Sequence, residues 1–223
     1  MRISMTNSSL RNAYEQMKDS NGYYVVDYSE KRAFFVLKRL FDLFFVLIFS
    51  PLVLPIVFIT MMVIVFESDG PPIYRQKRIG RHSKEFYVYK LRSMHDDAES
   101  DGPQWATEND DRVTRVGKII RKFRIDELPQ FYNVLMGDMS VVGPRPERLT
   151  FVAEFEEKIP GFIQRLQVKP GLTGLAQING GYHLTAEEKL DFDVEYIKNL
   201  SYKQEFIILL KTIMVVIKGD GAY

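Results

Sequence analysis

An apolar run from Leu40 to Phe66 constrains this chain more than any other stretch. Asp42 is its only charge, and the uncharged part from Leu43 to Phe66 is about 24 residues, enough to cross a bilayer if straight. It starts too late and runs too long for a cleaved signal peptide. Two features oppose a simple crossing. Ser50-Pro51 and Pro55 interrupt its middle, where proline removes a backbone hydrogen bond and crowds the preceding turn. Lys31, Arg32, Lys38 and Arg39 precede the run, and Arg75, Lys77, Arg78 and Arg81 follow it, so the rule that keeps cations in the cytoplasm applies to both ends. A re-entrant helix, broken at Ser50-Pro51 and returning to the face it entered, satisfies both facts. An ordinary kinked span and a buried core helix are the alternatives. The Ser50 hydroxyl is the local group able to satisfy backbone at the break. Asp42 lies within helical reach of Lys38 and Arg39 and is expected to pair with them at the membrane boundary.

The rest of the 223 residues suffices for one domain with a real core. We divide the chain into a polar extension over 1–30 without helical periodicity, the membrane helix over 31–69, and a domain over 70–223. The fold class expected is mainly α with a little β. There is no cysteine, which excludes disulfides, thiolate metal sites and a cysteine nucleophile, and three scattered histidines offer no metal-ligand spacing. Chemistry must come from carboxylates, lysines, arginines or hydroxyls. No nucleic acid is expected as a partner, and homo-oligomerisation is left open.

From Arg112 to Arg124 the chain carries bases and no acid, with Val113, Val116, Ile119, Ile120 and Phe123 at helical spacing. This basic amphipathic helix leads into two adjacent carboxylates, Asp126 and Glu127. Cations running into paired carboxylates suit a site for phosphates and a metal; a solvated surface helix ending at a capping Asp reads equally well from the local pattern. Asp126 is expected at or near the start of a helix that continues through Phe131 and stops at Gly137. Glu85 is followed by a short strand over Phe86–Met94, with Lys90 and Arg92 on one face, and Gly70–Gly80 reads as an extended link. In Gly143-Pro-Arg-Pro-Glu147 the flanking prolines stiffen Arg145 before any ligand arrives, which favours bidentate phosphate binding over an incidental connector only with context.

Residues 95–111 look like an acidic loop whose Asp96-Asp97 and Asp110-Asp111 pairs more often meet solvent than metal. Leu149–Leu166 looks helical around a break at Pro160-Gly161. Val168–Gly181 is a glycine-punctuated loop able to bring backbone N–H groups near an anion or a sugar. Thr185-Ala-Glu-Glu188 is a capping box, and the Asp191-Phe-Asp193 that follows cannot share one helix face. Glu205–Lys218 is a strongly apolar helix that packs on the core or lies at the membrane interface.

Together these residues resemble the monotopic polyprenol-phosphate glycosyl-1-phosphate transferases of bacteria, the sugar transferases that start exopolysaccharide, O-antigen (lipopolysaccharide) and glycan assembly. The resemblance runs from Lys38 to Tyr223. It rests on Lys38-Arg-Leu-Phe-Asp42, Ser50-Pro51, Tyr89-Lys-Leu-Arg-Ser-Met94, Arg112-Val-Thr-Arg-Val-Gly-Lys118, Asp126-Glu-Leu-Pro-Gln130, Asn133-Val-Leu-Met-Gly-Asp-Met-Ser140, Val142-Gly-Pro-Arg-Pro-Glu147 and Lys169-Pro-Gly-Leu-Thr-Gly174. It implies a membrane-associated α/β catalytic domain with a re-entrant membrane helix and amphipathic interfacial helices, facing the cytoplasm from the bacterial inner membrane. It also implies attack by Asp126 on the β-phosphate of a UDP-sugar, release of UMP, and transfer of the sugar phosphate to polyprenol (undecaprenyl) phosphate. Glu127 would be the Mg2+ ligand. Lys90, Arg92, Arg112, Arg121, Arg145 and Lys169 are the phosphate-binding and substrate-binding candidates. The chain departs from the family at Leu175, where tryptophan is frequent, and at Gly181, where arginine is common; the second change removes a donor-binding cation. Overall similarity leans toward glucose or galactose donors. A metal-dependent glycosyltransferase releasing UDP and a non-catalytic membrane scaffold of the same fold are the competing readings.

Overall fold

The first helix lies in the segment expected to be a polar extension without helical periodicity. In the computed structural model, which describes residues 6–20, 22–98 and 110–218, helix α1 spans Asn7–Asp19. Thr6 and Ser9 form a reciprocal capping box, and Leu10, Tyr14 and Met17 make a narrow buried stripe. Three apolar residues in an otherwise polar segment are too few to raise its periodicity, which is why the expectation of an aperiodic extension fails here.

Proline does not end the apolar run. Helix α2 extends from Arg32 to Glu67 through both Pro51 and Pro55. Ser50 turns its hydroxyl onto Val46 O at 2.6 Å, one turn back, as the sequence anticipates. Among the described residues α2 is the one helix long and apolar enough to cross a membrane, with a mean hydropathy of 2.7 and 11% of that window buried. A core helix would be mostly buried, so that alternative is excluded.

Strand β1 (Ile73–Ile79) pairs antiparallel with β2 (Glu85–Leu91), placing Tyr74 opposite Lys90. The link expected over 70–80 is thus largely a strand. Its inward residues Tyr74, Gln76 and Arg78 line a polar cavity, so the hydrophobic alternation that would betray it is missing. Helices α3 (Arg115–Lys122) and α4 (Gln130–Met136) follow, then β3 (Ser140–Val142) and α5 (Leu149–Lys158). The break at Pro160-Gly161 is present: Gly161 has φ 94° and opens a 3-10 turn over Phe162–Gln167. Part of the glycine-punctuated loop is β4 (Gly171–Thr173), parallel to β3. A Cβ on Gly143 would lie 2.4 Å from Lys169 O, so only glycine lets these backbones approach so closely. Helices α6 (Leu175–Ile178), α7 (Ala186–Lys198) and α8 (Tyr202–Lys218) complete the chain, and α7 carries the expected Thr185–Glu188 capping box. The acidic loop expected over 95–111 lies outside the described residues from 99 to 109.

Both limbs of α2 are tied to the same domain. Near its start, Arg39 donates to Val134 O at 2.6 Å and Leu135 O at 2.9 Å, capping α4. Asp42 accepts from Ser140 Oγ at 3.0 Å and Val141 N at 2.9 Å. It was expected to pair with Lys38 or Arg39. Instead its carboxylate meets the donors that open β3, and Lys38 reaches Glu205 on α8. Near the other end Ile64 packs with Leu91 and Ile120, and Glu67 accepts from Val116 N at 2.9 Å. Between these anchors large apolar side chains stay exposed, among them Phe44, Leu47, Leu52, Leu54 and Phe58. Exposed apolar side chains also include Ile119 of α3, Phe123 just after it, Leu135 and Met136 of α4, and Phe206, Leu210, Ile213 and Ile217 of α8.

Candidate active site

Three segments bring Asp126 into a cavity wall. Arg124, after α3, adopts φ 55°, uncommon for a residue with a Cβ, and turns the chain into a 3-10 turn over Ile125–Glu127. Asp126 sits in that turn, just ahead of α4 rather than inside it. From α4, the buried Asn133 accepts from Tyr89 N at 3.2 Å and donates to Tyr87 O at 2.6 Å. Its amide thereby mimics a neighbouring strand and fixes β2, with Lys90, against the turn. The third segment is Pro144-Arg145-Pro146, whose prolines are buried and whose arginine points back at Glu127.

The cavity measures about 280 Å³, and Lys90, Arg121, Asp126, Glu127 and Arg145 all line it. Cations outnumber carboxylates among its lining residues. The two adjacent carboxylates have opposite surroundings. Glu127 accepts from Lys90 Nζ at 2.9 Å and from both terminal nitrogens of Arg145, Nη1 at 3.2 Å. Burial works against its charge, but Arg145 and Lys90 overcome it and hold the carboxyl well below the usual carboxylate range. Asp126 is 7% exposed and receives no hydrogen bond from any described side chain or backbone group. Burial first, and the Glu127 charge second, push it up to about 6, against the pull of Lys90, Arg121 and Arg145. One carboxylate is clamped and the other is idle beside three cations. A buried carboxylate without structural bonds at a cation-lined cavity is available for chemistry.

A divalent cation has a modest donor set here. Among the described residues no group of three or more acids and histidines converges, so neither Asp96-Asp97 nor Asp110-Asp111 builds a metal site with them. Among the described residues Glu127 Oε2 accepts one bond, at 3.2 Å from Arg145 Nη1, which leaves it a lone pair, and Glu127 lines the cavity. One or two carboxylates completed by substrate phosphate and water are what Mg2+ commonly uses, so the residues fit that ion.

The remaining sequence candidates separate. Arg121 borders the cavity and donates from Nε to Ser93 Oγ at 2.8 Å. Arg92 also borders it, yet its guanidinium holds Ser68 O at 2.7 Å and Asp69 O, closing the chain behind α2. Arg112 does not line the cavity: it grips Asp110 at 2.8 and 2.5 Å and Ala98 O at 3.1 Å. Lys169 is also absent from the lining and stands near the root of α2, where burial and then Arg39 lower its pKa. Their motifs are genuine features of the fold, but these two side chains are not with Asp126. Gly181, one of the two positions where the sequence departs from the pattern it resembles, lines the cavity.

Sequence reasoning missed Arg165. It lines the cavity from the 3-10 turn after α5, donates to Arg145 O at 2.8 Å, and pairs with Asp193 of α7 at 2.7 Å. Asp193 is the inner half of the Asp-x-Asp, while Asp191 is exposed, as two residues apart on a helix must be. A buried acid at helical position 193 was the available signal; its partner is far away in sequence.

Comparison with known proteins places these features in context. The family model described as bacterial sugar transferase matches residues 33–219. The UDP-N-acetylgalactosamine-undecaprenyl-phosphate N-acetylgalactosaminephosphotransferase of Aeromonas hydrophila is 46% identical over 189 residues, 83% of this chain and 45% of that protein. A putative undecaprenyl-phosphate N-acetylgalactosaminyl 1-phosphate transferase of Bacillus subtilis is 52% identical over 139 residues, 62% of this chain and 78% of that protein. The UDP-glucose:undecaprenyl-phosphate glucose-1-phosphate transferase of Caulobacter vibrioides is 40% identical over 193 residues, 83% of this chain and 72% of that protein. The chain thus spans less than half of the Aeromonas relative and most of the other two.

Proposed function

This chain belongs to the bacterial sugar transferase family, and from that premise we propose that it transfers a sugar 1-phosphate from a UDP-sugar to polyprenol (undecaprenyl) phosphate, releasing UMP. The observation that carries the reading is the idle, buried Asp126 beside Glu127, which Lys90 and Arg145 clamp. In the first step an Asp126 oxygen attacks the donor's β-phosphorus. The bond from that phosphorus to the oxygen bridging the two phosphates breaks, and UMP leaves with the electron pair. A sugar-phosphate ester of Asp126 remains. In the second step an oxygen of the lipid phosphate attacks the same phosphorus, the Asp126 oxygen–phosphorus bond breaks, and polyprenol-diphosphate-sugar departs with the carboxylate regenerated.

A carboxylate attacks a charged phosphate only when their repulsion is relieved. Lys90, Arg121 and Arg145, whose charges all act on Asp126, supply this relief, and each terminal nitrogen of Arg145 keeps a second N–H beyond the one it gives Glu127. Bound Mg2+, held by Glu127 and the diphosphate, would add charge neutralisation at the donor. Burial weakens the solvation of Asp126, which raises its pKa to about 6 and favours attack, and the group is still mostly ionised at neutral pH. The alternative of direct glycosyl transfer through Asp-x-Asp finds no support, because Asp191 is exposed and Asp193 is bound to Arg165.

Membrane association is supported by the exposed apolar surface of α2 and the exposed apolar side chains of α3, α4 and α8. The re-entrant topology is supported by the anchoring of α2. Asp42 and Ile64 are about 33 Å apart along a straight helix, close to the thickness of the hydrocarbon core. If the helix crossed, one domain would have to touch it on both sides of the bilayer. A return near Ser50-Pro51 keeps both anchors on one side, with the basic flanks assigning that side to the cytoplasm. Tags placed before residue 6 and after residue 218 should therefore react from the same membrane face, and opposite faces would defeat this topology.

The relatives' names divide between N-acetylgalactosamine and glucose donors, and the more identical of those reported carry the N-acetyl group. The Caulobacter relative agrees with the lean toward glucose or galactose, and the two more identical relatives oppose it. A panel of UDP-sugars labelled at the β-phosphate tests the whole reading. Label should enter the lipid fraction as UMP appears, and without acceptor it should remain on the protein. Release of UDP in place of UMP would refute it.

A further inference from the structure

The buried ion pair between Arg165 and Asp193 takes no part in the steps above, yet it stands directly behind them. Its side chains are 3% and 2% exposed. A charged pair removed from water this completely is seldom the most stabilising choice for its position, since well-packed apolar residues often serve as well or better. Its connections give it a use. Arg165 Nη2 stands 2.7 Å from Asp193 Oδ2 in an ion pair and donates to Arg145 O at 2.8 Å, and the guanidinium lies over the Phe162 ring with 4.8 Å to its centroid. Arg145 sits between two buried prolines, so its backbone has few ways to move, and the Arg165 bond removes one more. The Arg145 side chain then reaches Glu127 with both terminal nitrogens. The line from α7 to the clamped carboxylate is therefore continuous: Asp193, Arg165, Arg145, Glu127.

We propose that Asp193 and Arg165 are positioning residues, which fix the backbone of Arg145 so that its fork meets Glu127 and the donor phosphate in one orientation. The proposal rests on the function assigned above. Asp193 orients Arg165 through its carboxylate, and Arg165 transmits that orientation through a single carbonyl. Neither residue needs to touch the donor. A guanidinium is required because its plane, laid over the Phe162 ring, fixes where Nη2 stands between Asp193 and Arg145 O, and a lysine has no such plane.

The test is a double-mutant cycle on the detergent-solubilised full chain, with kcat and KM for a UDP-sugar that the wild type accepts. Asp193→Asn should lower kcat about tenfold, in line with loss of orientation rather than of a charge at the reacting atoms. In an Arg145→Lys background the same change should lower kcat less than about twofold, because the fork it aims is already gone. Arg165→Lys keeps a cation opposite Asp193 and provides a second route: kcat should fall about tenfold while the melting temperature moves by no more than about 3 °C. Additive losses in the cycle, or losses in kcat that follow the melting temperature alone, would overturn the positioning role and leave the transferase reading intact. A wild-type protein that turns over no UDP-sugar would overturn the transferase reading, and this one with it.

Discussion

Two regions of this molecule bury carboxylates among cations, and they differ in how many partners each carboxylate has. At the root of α2, Asp42 accepts from Ser140 Oγ and Val141 N, and Glu205 accepts from Lys38 and from Tyr196 Oη at 2.5 Å. At the cavity Glu127 is equally well satisfied, but its neighbour Asp126 has charges nearby and no hydrogen bond from any described group. A buried carboxylate with its bonds made is a fastener. One left without them costs stability and persists because something else uses it. Charge and burial do not separate the two regions; hydrogen-bond satisfaction does.

The largest effect that follows is at Asp126. Asp126→Asn should lower sugar-phosphate transfer at least about a thousandfold, since the bond-forming oxygen is lost. Its thermal melt should not fall, because no bond to the protein is lost and a buried charge is removed. Turnover close to wild type would erase the distinction between the two regions. Arg145→Lys comes next, with a loss of about a hundredfold in kcat, because a point charge replaces a fork on both Glu127 and phosphate. The matching change at the root is Asp42→Ala. It strands two buried donors and should lower the melting temperature by about 5–10 °C, with turnover per folded molecule within about twofold of wild type. A large loss of turnover without a loss of melting temperature would mean that the root participates in chemistry.

How much of this contrast was legible in sequence depends on whether the partners are local. The adjacency of Asp126 and Glu127, the basic helix before them, the stiffened Arg145 and the Ser50-Pro51 feature were all visible as neighbours along the chain. Resemblance to the family supplied Lys90 and Arg121 as further members, and the structure brings both to the cavity. It also supplied Arg112 and Lys169, which sit elsewhere, because a motif marks a segment and does not say which way each side chain points. Asp42 was misread for the opposite reason. Its helical neighbours Lys38 and Arg39 looked like partners, while its real ones lie about a hundred residues away: Ser140 is separated from it by 98 positions. Arg165 and Asp193 share that difficulty. The helix α1 and strand β1 were hidden because one buries only a narrow stripe and the other faces a polar cavity instead of a core.

The smallest expected effect tests the comparison at its weakest point, the habit of taking a raised pKa as a mark of chemistry. Burial raises Asp126, and burial also raises Glu205, where Lys38 opposes the shift and the Asp42 charge adds to it. Tyr196 faces the same carboxylate and donates to it, with its own pKa driven up by burial and then by Glu205. For an acid whose folded pKa lies above its ordinary value of about 4.3, folding favours the protonated form. The stability it contributes is full below that ordinary value and is lost as pH rises through the folded pKa. Wild type should therefore lose melting temperature relative to Glu205→Gln as pH rises above about 4, and the difference should level off once Glu205 is ionised. The pH profile of transfer, measured per folded molecule, should be the same in both proteins. If Glu205→Gln shifts the profile of turnover instead, Glu205 is coupled to the cavity and satisfied hydrogen bonds do not mark a fastener. If only the melt responds, then a raised pKa reports burial in both regions, and what separates Asp126 from Glu205 is the lack of a hydrogen bond from any described group.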